Sequence, residues 1–164
     1  MKKITLIFAI FAVLLSMVSA GTNEEYNAEL GMKAPYFEVK AGNGEVTSLY
    51  DMKGRFVIVN FWASADAMSR IAANQYDSFV KSVSEEQVGL LSVNIDRNQS
   101  LFEEVMRRDG LRAESQYYVQ PENTSELIRK YDMGSGLQSF LIDPQGAIVA
   151  INPSPETLAS ILNK

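Results

Sequence analysis

Short apolar runs, some alternating with polar residues and some continuous, are separated along the chain by glycine, proline and charge. Pro35-Tyr36-Phe37-Glu38-Val39 and Glu45-Val46-Thr47-Ser48-Leu49 are β-prone and flank Gly42-Asn43-Gly44. Those glycines suit a tight turn, so the pattern predicts an N-terminal hairpin. After Lys53-Gly54-Arg55, the run Phe56-Val57-Ile58-Val59-Asn60-Phe61-Trp62 is almost wholly apolar and rich in β-branched residues. A strand of that kind is covered on both faces and belongs in the centre of a sheet.

From residue 66 to about 82, Met68, Ile71, Ala72, Tyr76, Phe79, Val80 and Val83 recur at helical spacing, and Asp66 stands where a capping acid belongs. A second buried-type strand over 88–95 ends at Asp96-Arg97-Asn98. Leu101, Phe102, Val105 and Met106 then mark a helix that stops near Asp109-Gly110. Tyr117-Tyr118-Val119 adds a short extended piece, and 125–131 a short helix carrying Leu127, Ile128 and Tyr131 on one side. Residues 139–143 and 147–151 read as a hairpin around Pro144-Gln145-Gly146, and 156–162 as a last helix entered through Pro155. Strand–helix–strand units feeding a hairpin and helix predict an α/β fold, with a central mixed sheet flanked by helices and extended by the N-terminal β-hairpin.

Residues 1–20 have the layout of a secretory signal: Lys2 and Lys3, an apolar run over 4–18, then the small residues Ser19 and Ala20. The competing reading is a single membrane anchor, which needs about 20 apolar residues. The run is shorter than that, and polar Thr22-Asn23-Glu24-Glu25 follows. The expected protein is therefore exported, periplasmic or secreted, with no stable membrane insertion after cleavage. Residues 21–30 are expected to be a flexible lead-in to one domain over 31–164.

The 164-residue chain carries a formal charge of −5, which becomes −7 once Lys2 and Lys3 leave with the signal. That balance disfavours nucleic acid, because the cationic patch that displaces phosphate counterions is missing. The chain has no Cys and no His. Thiol–disulfide exchange by its own groups, thiolate or imidazole metal ligation, and Ser-His or Cys-His catalysis are thereby excluded. Asp96, Asp109 and Asp143 lack the spacing of a calcium loop. Neither a metal nor a cofactor is expected.

Four segments sit in a familiar order: 31–37 (Gly-Met-Lys-Ala-Pro-Tyr-Phe), Phe61-Trp62-Ala63-Ser64, Leu91-Ser92-Val93-Asn94-Ile95-Asp96, and Phe140-Leu141-Ile142-Asp143-Pro144-Gln145-Gly146. Together they resemble the exported thioredoxin-like reductases of the TlpA/ResA type, over residues 30–162. The resemblance implies a thioredoxin-like fold and a thiol–disulfide role in maturing envelope proteins or cytochromes. In that family a Trp-Cys-x-x-Cys segment follows the strand. Laid on this chain, it puts Ala65 at the Trp, Asp66 at the first Cys, Ala67 and Met68 between, and Ser69 at the second Cys. Arg70 falls where a basic residue often follows. The family's cis-proline position is taken by Leu137, within Ser135-Gly136-Leu137-Gln138-Ser139. A cis bond before a residue other than proline costs about 3 to 4 kcal/mol, so a trans peptide and a reshaped loop are expected.

The site is thus read as degenerate, with no catalytic residue. Asp66 is either a fixed imitation of the lost thiolate or an ordinary cap worth about 0.5 to 2 kcal/mol, and the frequency of Asp at helix starts favours the cap. Ser69 has no general base to activate it. Trp62 and Phe61 either line a contact surface or fill the core, and their burial tendency favours the core. The candidate binding face comprises Trp62, Ser64, Asp66, Gly136 and Leu137. The expected function is that of a redox-inactive binding or scaffold module. Its expected partners are an envelope protein, a peptide client or an active thioredoxin-like relative. The alternative, by resemblance only, is the oxidoreductase role itself.

Overall fold

The two apolar runs read as buried strands lie side by side in the interior of one sheet, because only there are both of their faces covered. They are β3 (Phe56–Trp62) and β4 (Val88–Asn94), paired in parallel over their full length. Before them come β1 (Glu38–Ala41) and β2 (Val46–Ser48), and after them β5 (Gln116–Tyr118), β6 (Ser139–Ile142) and β7 (Ile148–Ile151). In the computed structural model, which describes residues 28–84 and 86–163, the seven strands run β2-β1-β5-β4-β3-β6-β7. The β3-β4-β5 centre is parallel, while the β1-β2 and β6-β7 hairpins are antiparallel. Among the described residues, four α-helices accompany the sheet: α1 (Ala67–Ser82), α2 (Gln99–Asp109), α3 (Pro121–Lys130) and α4 (Pro155–Leu162). This is the mixed, helix-flanked sheet with an N-terminal hairpin that the pattern predicts.

The expected signal over 1–20 lies outside the described residues, as does most of the expected lead-in. At the end of that lead-in, Ala28 is buried, and its N–H donates to the Lys130 carbonyl at 3.2 Å.

Alternation along β3 divides the core in two. Val57, Val59 and Phe61 share one face with Phe37, Tyr131 and Phe140, while Ile58 packs on the other with Tyr76, Val80 and Leu158. The first layer centres on an aromatic cluster in which Tyr131 lies 4.9 Å from Phe61 and 5.1 Å from Phe140, centroid to centroid. The Tyr131 hydroxyl donates to the Pro35 carbonyl at 2.7 Å and so fastens the start of the domain to the end of α3.

Two elements differ from the sequence reading. α3 begins at Pro121, four residues before the first expected helical position, since proline at a helix's first turn gives up no hydrogen bond and its fixed φ suits the helix. The second difference bears on the site. Periodicity assigned Met68 and Ile71 to the inner side of α1, but they are 74% and 51% exposed. The buried stripe is instead Ser69, Ala73, Tyr76, Asp77 and Val80. Polar side chains hold this rotation: Ser69 and Asp77 both make hydrogen bonds to segments beneath the helix. The apolar residues Ala73, Tyr76 and Val80 and these two polar groups share the inward face, which leaves Met68 and Ile71 outside it.

Candidate functional site

β3 ends at Trp62, and the chain turns through Ala63-Ser64-Ala65-Asp66 into α1. Asp66 has extended backbone angles and caps the helix, its Oδ1 accepting the Ser69 N–H at 2.7 Å. Its main-chain carbonyl accepts the Arg70 N–H at 3.2 Å and the Ser69 hydroxyl at 3.1 Å. Ser69 Oγ in turn accepts the Ala63 N–H at 3.2 Å. Asp66 and Ser69, the positions that the resemblance aligns with the redox pair, are thus hydrogen-bonded to each other, and Ser69 also to Ala63, the residue that follows β3. Ser69 is buried with its hydroxyl committed on both sides, so no nucleophile is presented.

A second carboxylate holds the turn from the β4 side. Asp96 accepts the Ser64 N–H at 3.0 Å through Oδ2, a short bond from the Ser64 hydroxyl, and the Asn94 side-chain amide at 2.9 Å. Asn94 Oδ1 returns a bond by accepting the Asp96 N–H at 2.9 Å. Sequence reasoning considered Asp96 only as a metal ligand and missed this role. The available signal was the polar Asn94-x-Asp96 pair at the end of a buried strand, next to a turn that needs acceptors. Replacing Asp96 by Ala strands the Ser64 N–H, which should cost about 1 to 3 kcal/mol. A urea titration read by tryptophan fluorescence measures it, because Trp62 is the chain's one tryptophan and adjoins the turn.

Arg70 adds a third tie. Its guanidinium makes two bonds to the Asp109 carboxylate, at 2.7 and 2.6 Å, linking the start of α1 to the end of α2. The hydrogen bond and charge of Arg70 hold the Asp109 carboxyl below its ordinary range despite partial burial. α2 stops there because Gly110 adopts the left-handed conformation at φ +68.

The segment facing the turn is 133–138. The Phe61 N–H donates to the Gln138 carbonyl at 3.1 Å, which sets this loop against the end of β3. Leu137 is half-buried against the larger core and is joined by a trans peptide, as are all the described residues. Gly136 is exposed, at φ +154 and ψ +160, a region that side chains avoid. The loop is therefore supported by glycine on one side and leucine packing on the other.

The structure brings Ala63–Ser69 and 136–138 together at one end of β3. It does not make all the candidate binding residues surface residues. Trp62 is fully buried, with its ring 5.8 Å from Phe102, and Ser64 is buried with its polar groups taken by Asp96. Both must be removed from the candidate face, since β3 is covered on both sides as far as its last residue. The exposed rim consists of Ala65, Asp66, Ala67, Met68 and Gly136, with Leu137 partly open beside them.

This site, a strand running into a capped helix opposite a loop from the β6 side, lies within a recognisable family span. The model of the AhpC/TSA family matches residues 30–151, from just before the N-terminal hairpin to the end of β7. The chain belongs to the AhpC/TSA family. Among proteins of this thioredoxin-like class, it is 28% identical over 163 residues to the thiol-disulfide oxidoreductase ResA of Bacillus subtilis, covering 92% of this chain and 87% of that protein. It is 35% identical to a thioredoxin-like protein from Parabacteroides distasonis of known crystal structure, with a TM-score of 0.65 over 68% of this chain and 82% of the other. A thiol:disulfide interchange protein from a Bacteroides species shares the fold, with a TM-score of 0.74 at 21% identity over 82% of this chain and 88% of that one. The likeness to ResA-type proteins that the four segments suggested therefore holds along nearly the whole AhpC/TSA span. Exchange of thiols needs a thiolate nucleophile, and this AhpC/TSA chain contains no cysteine.

Proposed function

We propose that this is an exported, thioredoxin-like protein that carries out no thiol–disulfide exchange and works by binding a partner through the former redox face. The observation that carries this reading is the exposed apolar rim at a rigid turn. Met68 stands 74% exposed beside Ala65 and Ala67, with Leu137 opposite and Asp66 fixed by its capping bond. A turn held by Asp96, Ser69 and Arg70 loses little entropy on binding, and an uncovered large apolar side chain at such a place gains by being covered. The partner is proposed to be an envelope protein, an extended peptide or an active thioredoxin-like relative.

Two measurements test the reading. In an insulin-reduction assay with dithiothreitol, the chain should give no acceleration over buffer, and turnover above that blank would restore the oxidoreductase reading. In the second, immobilised wild type and the Asp66→Lys, Leu137→Asp double variant are compared for what they retain from envelope extract. The variant is expected to lose partners that the wild type keeps, and identical partner sets would remove the rim from the function.

A further inference from the structure

We infer that Met68 is an oxidant-sensitive modification site, whose conversion to the sulfoxide by a peroxide turns the binding rim from apolar to polar and releases its partner. The release rests on the binding reading proposed above, whereas the chemical step stands by itself.

The geometry singles out this thioether. Met68 is the most exposed of the large apolar side chains among the described residues, at 74%, and Met32 follows it among the described methionines at 57%. Met52 and Met106 are half-buried against the core, and Met133 is only 5% exposed. The neighbours of Met68 in the turn are Ala65, Asp66 and Ala67, all exposed and two of them too short to shield a sulfur atom. Long helical side chains lean back toward the helix N-terminus, and Met68 is the second residue of α1. The first amides of a helix have no intrahelical acceptor, and the Asp66 side chain occupies that of Ser69, not those of Ala67 and Met68. A sulfoxide oxygen is a better hydrogen-bond acceptor than a thioether, and it would form at the positive end of the helix.

In the step, a lone pair on the Met68 sulfur attacks one oxygen of hydrogen peroxide. The O–O bond breaks, an S–O bond forms, and the second oxygen leaves as water after proton transfer. Sulfur is oxidised by two electrons and the peroxide is reduced by two. The product is returned to the thioether by methionine sulfoxide reductases, so the change is reversible.

The test treats the whole chain with hydrogen peroxide, quenches at intervals and maps each methionine by mass spectrometry. Among the described methionines Met68 should oxidise first, on the order of tenfold faster than Met133, following their exposures. Equal rates for the two would overturn the proposal. Protein sampled when only Met68 and Met32 are oxidised is then compared with untreated protein for partners retained from envelope extract. Oxidised wild type should lose those partners, oxidised Met32→Leu should lose them equally, and sulfoxide reductase should restore them. Retention by oxidised protein while the Asp66→Lys, Leu137→Asp variant loses partners would reject the switch and leave the binding reading intact. Retention by both would reject the switch and the binding reading together.

Discussion

The double variant Asp66→Cys, Ser69→Cys is expected to close an intramolecular disulfide on exposure to oxidised glutathione, with loss of both free thiols. The α-carbons of residues three apart on a helix lie about 5 Å from each other, inside the roughly 4.4 to 6.8 Å range of α-carbon separations that a disulfide accepts. The Asp66 side chain already turns toward residue 69, as its 2.7 Å bond to the Ser69 N–H shows. In the reduced form the two introduced thiols should differ sharply. Position 66 is exposed at the helix N-terminus, where the dipole favours a thiolate, whereas position 69 is buried. Alkylation should therefore label position 66 well before position 69. The cap lost with Asp66 should cost about 0.5 to 2 kcal/mol, which a domain of this size tolerates. Two persistently free thiols under oxidation, counted with a chromogenic disulfide, would show that the frame no longer presents these positions as a pair.

Loss of Asp77 is expected to destabilise the fold markedly. Its carboxylate is almost fully buried and accepts Arg112 Nε at 2.8 Å, the Ser115 hydroxyl at 3.1 Å and Lys81 Nζ at 3.0 Å. These bonds tie the middle of α1 to the segment entering β5. Removing the carboxylate takes the buried acceptor from Arg112 and Ser115, while Arg112 retains Glu114 at 3.7 Å, and Asp77→Ala is expected to cost about 1.5 to 3 kcal/mol, the range for hydrogen bonds to a charged group. Burial pushes the Asp77 carboxyl up. The bonds from Arg112 and Lys81, the charge of Arg112 and the Ser115 hydroxyl outweigh it, so the net shift is downward. A carboxylate whose folded value is depressed gives stability that is complete above its unfolded value of about 3.9 and lost as pH falls through the folded value. Asp109, depressed by Arg70, acts in the same direction. The urea midpoint should therefore drop below about pH 4, and less steeply in Asp77→Asn. A pH dependence identical in wild type and Asp77→Asn would refute the assignment.

Strand and helix placement was legible wherever one face or both faces of an element carry a clear apolar code. β3, β4 and the two hairpins fall where alternation, continuous apolar runs and turn residues place them. So does the cap at Asp66, because Asp immediately before a helical pattern serves one local purpose. The Leu137 peptide is trans, as the cost of the cis form led us to expect. The rotation of α1 was not legible. Met68 and Ile71 fit the apolar stripe in one dimension, but the face turned inward is the one that carries Ala73, Tyr76 and Val80 together with the bonds of Ser69 to Ala63 and of Asp77 to Arg112. The burial of Trp62 and Ser64 was equally hidden, since it depends on Phe102 and Asp96, which are distant in sequence.

By itself the sequence determined what chemistry is absent and which elements form. Composition removes the sulfur and the imidazole whatever the fold, and local backbone preference with hydrophobic period decides strand or helix within a few residues. The tertiary structure alone decided which side chains the turn after β3 exposes. Such exposure is settled by contacts between residues dozens of positions apart, such as Ser64 with Asp96 and Asp77 with Arg112. Buried polar bonds of this kind, together with the packing of Ala73, Tyr76 and Val80, outweigh the preference of Met68 and Ile71 for the interior.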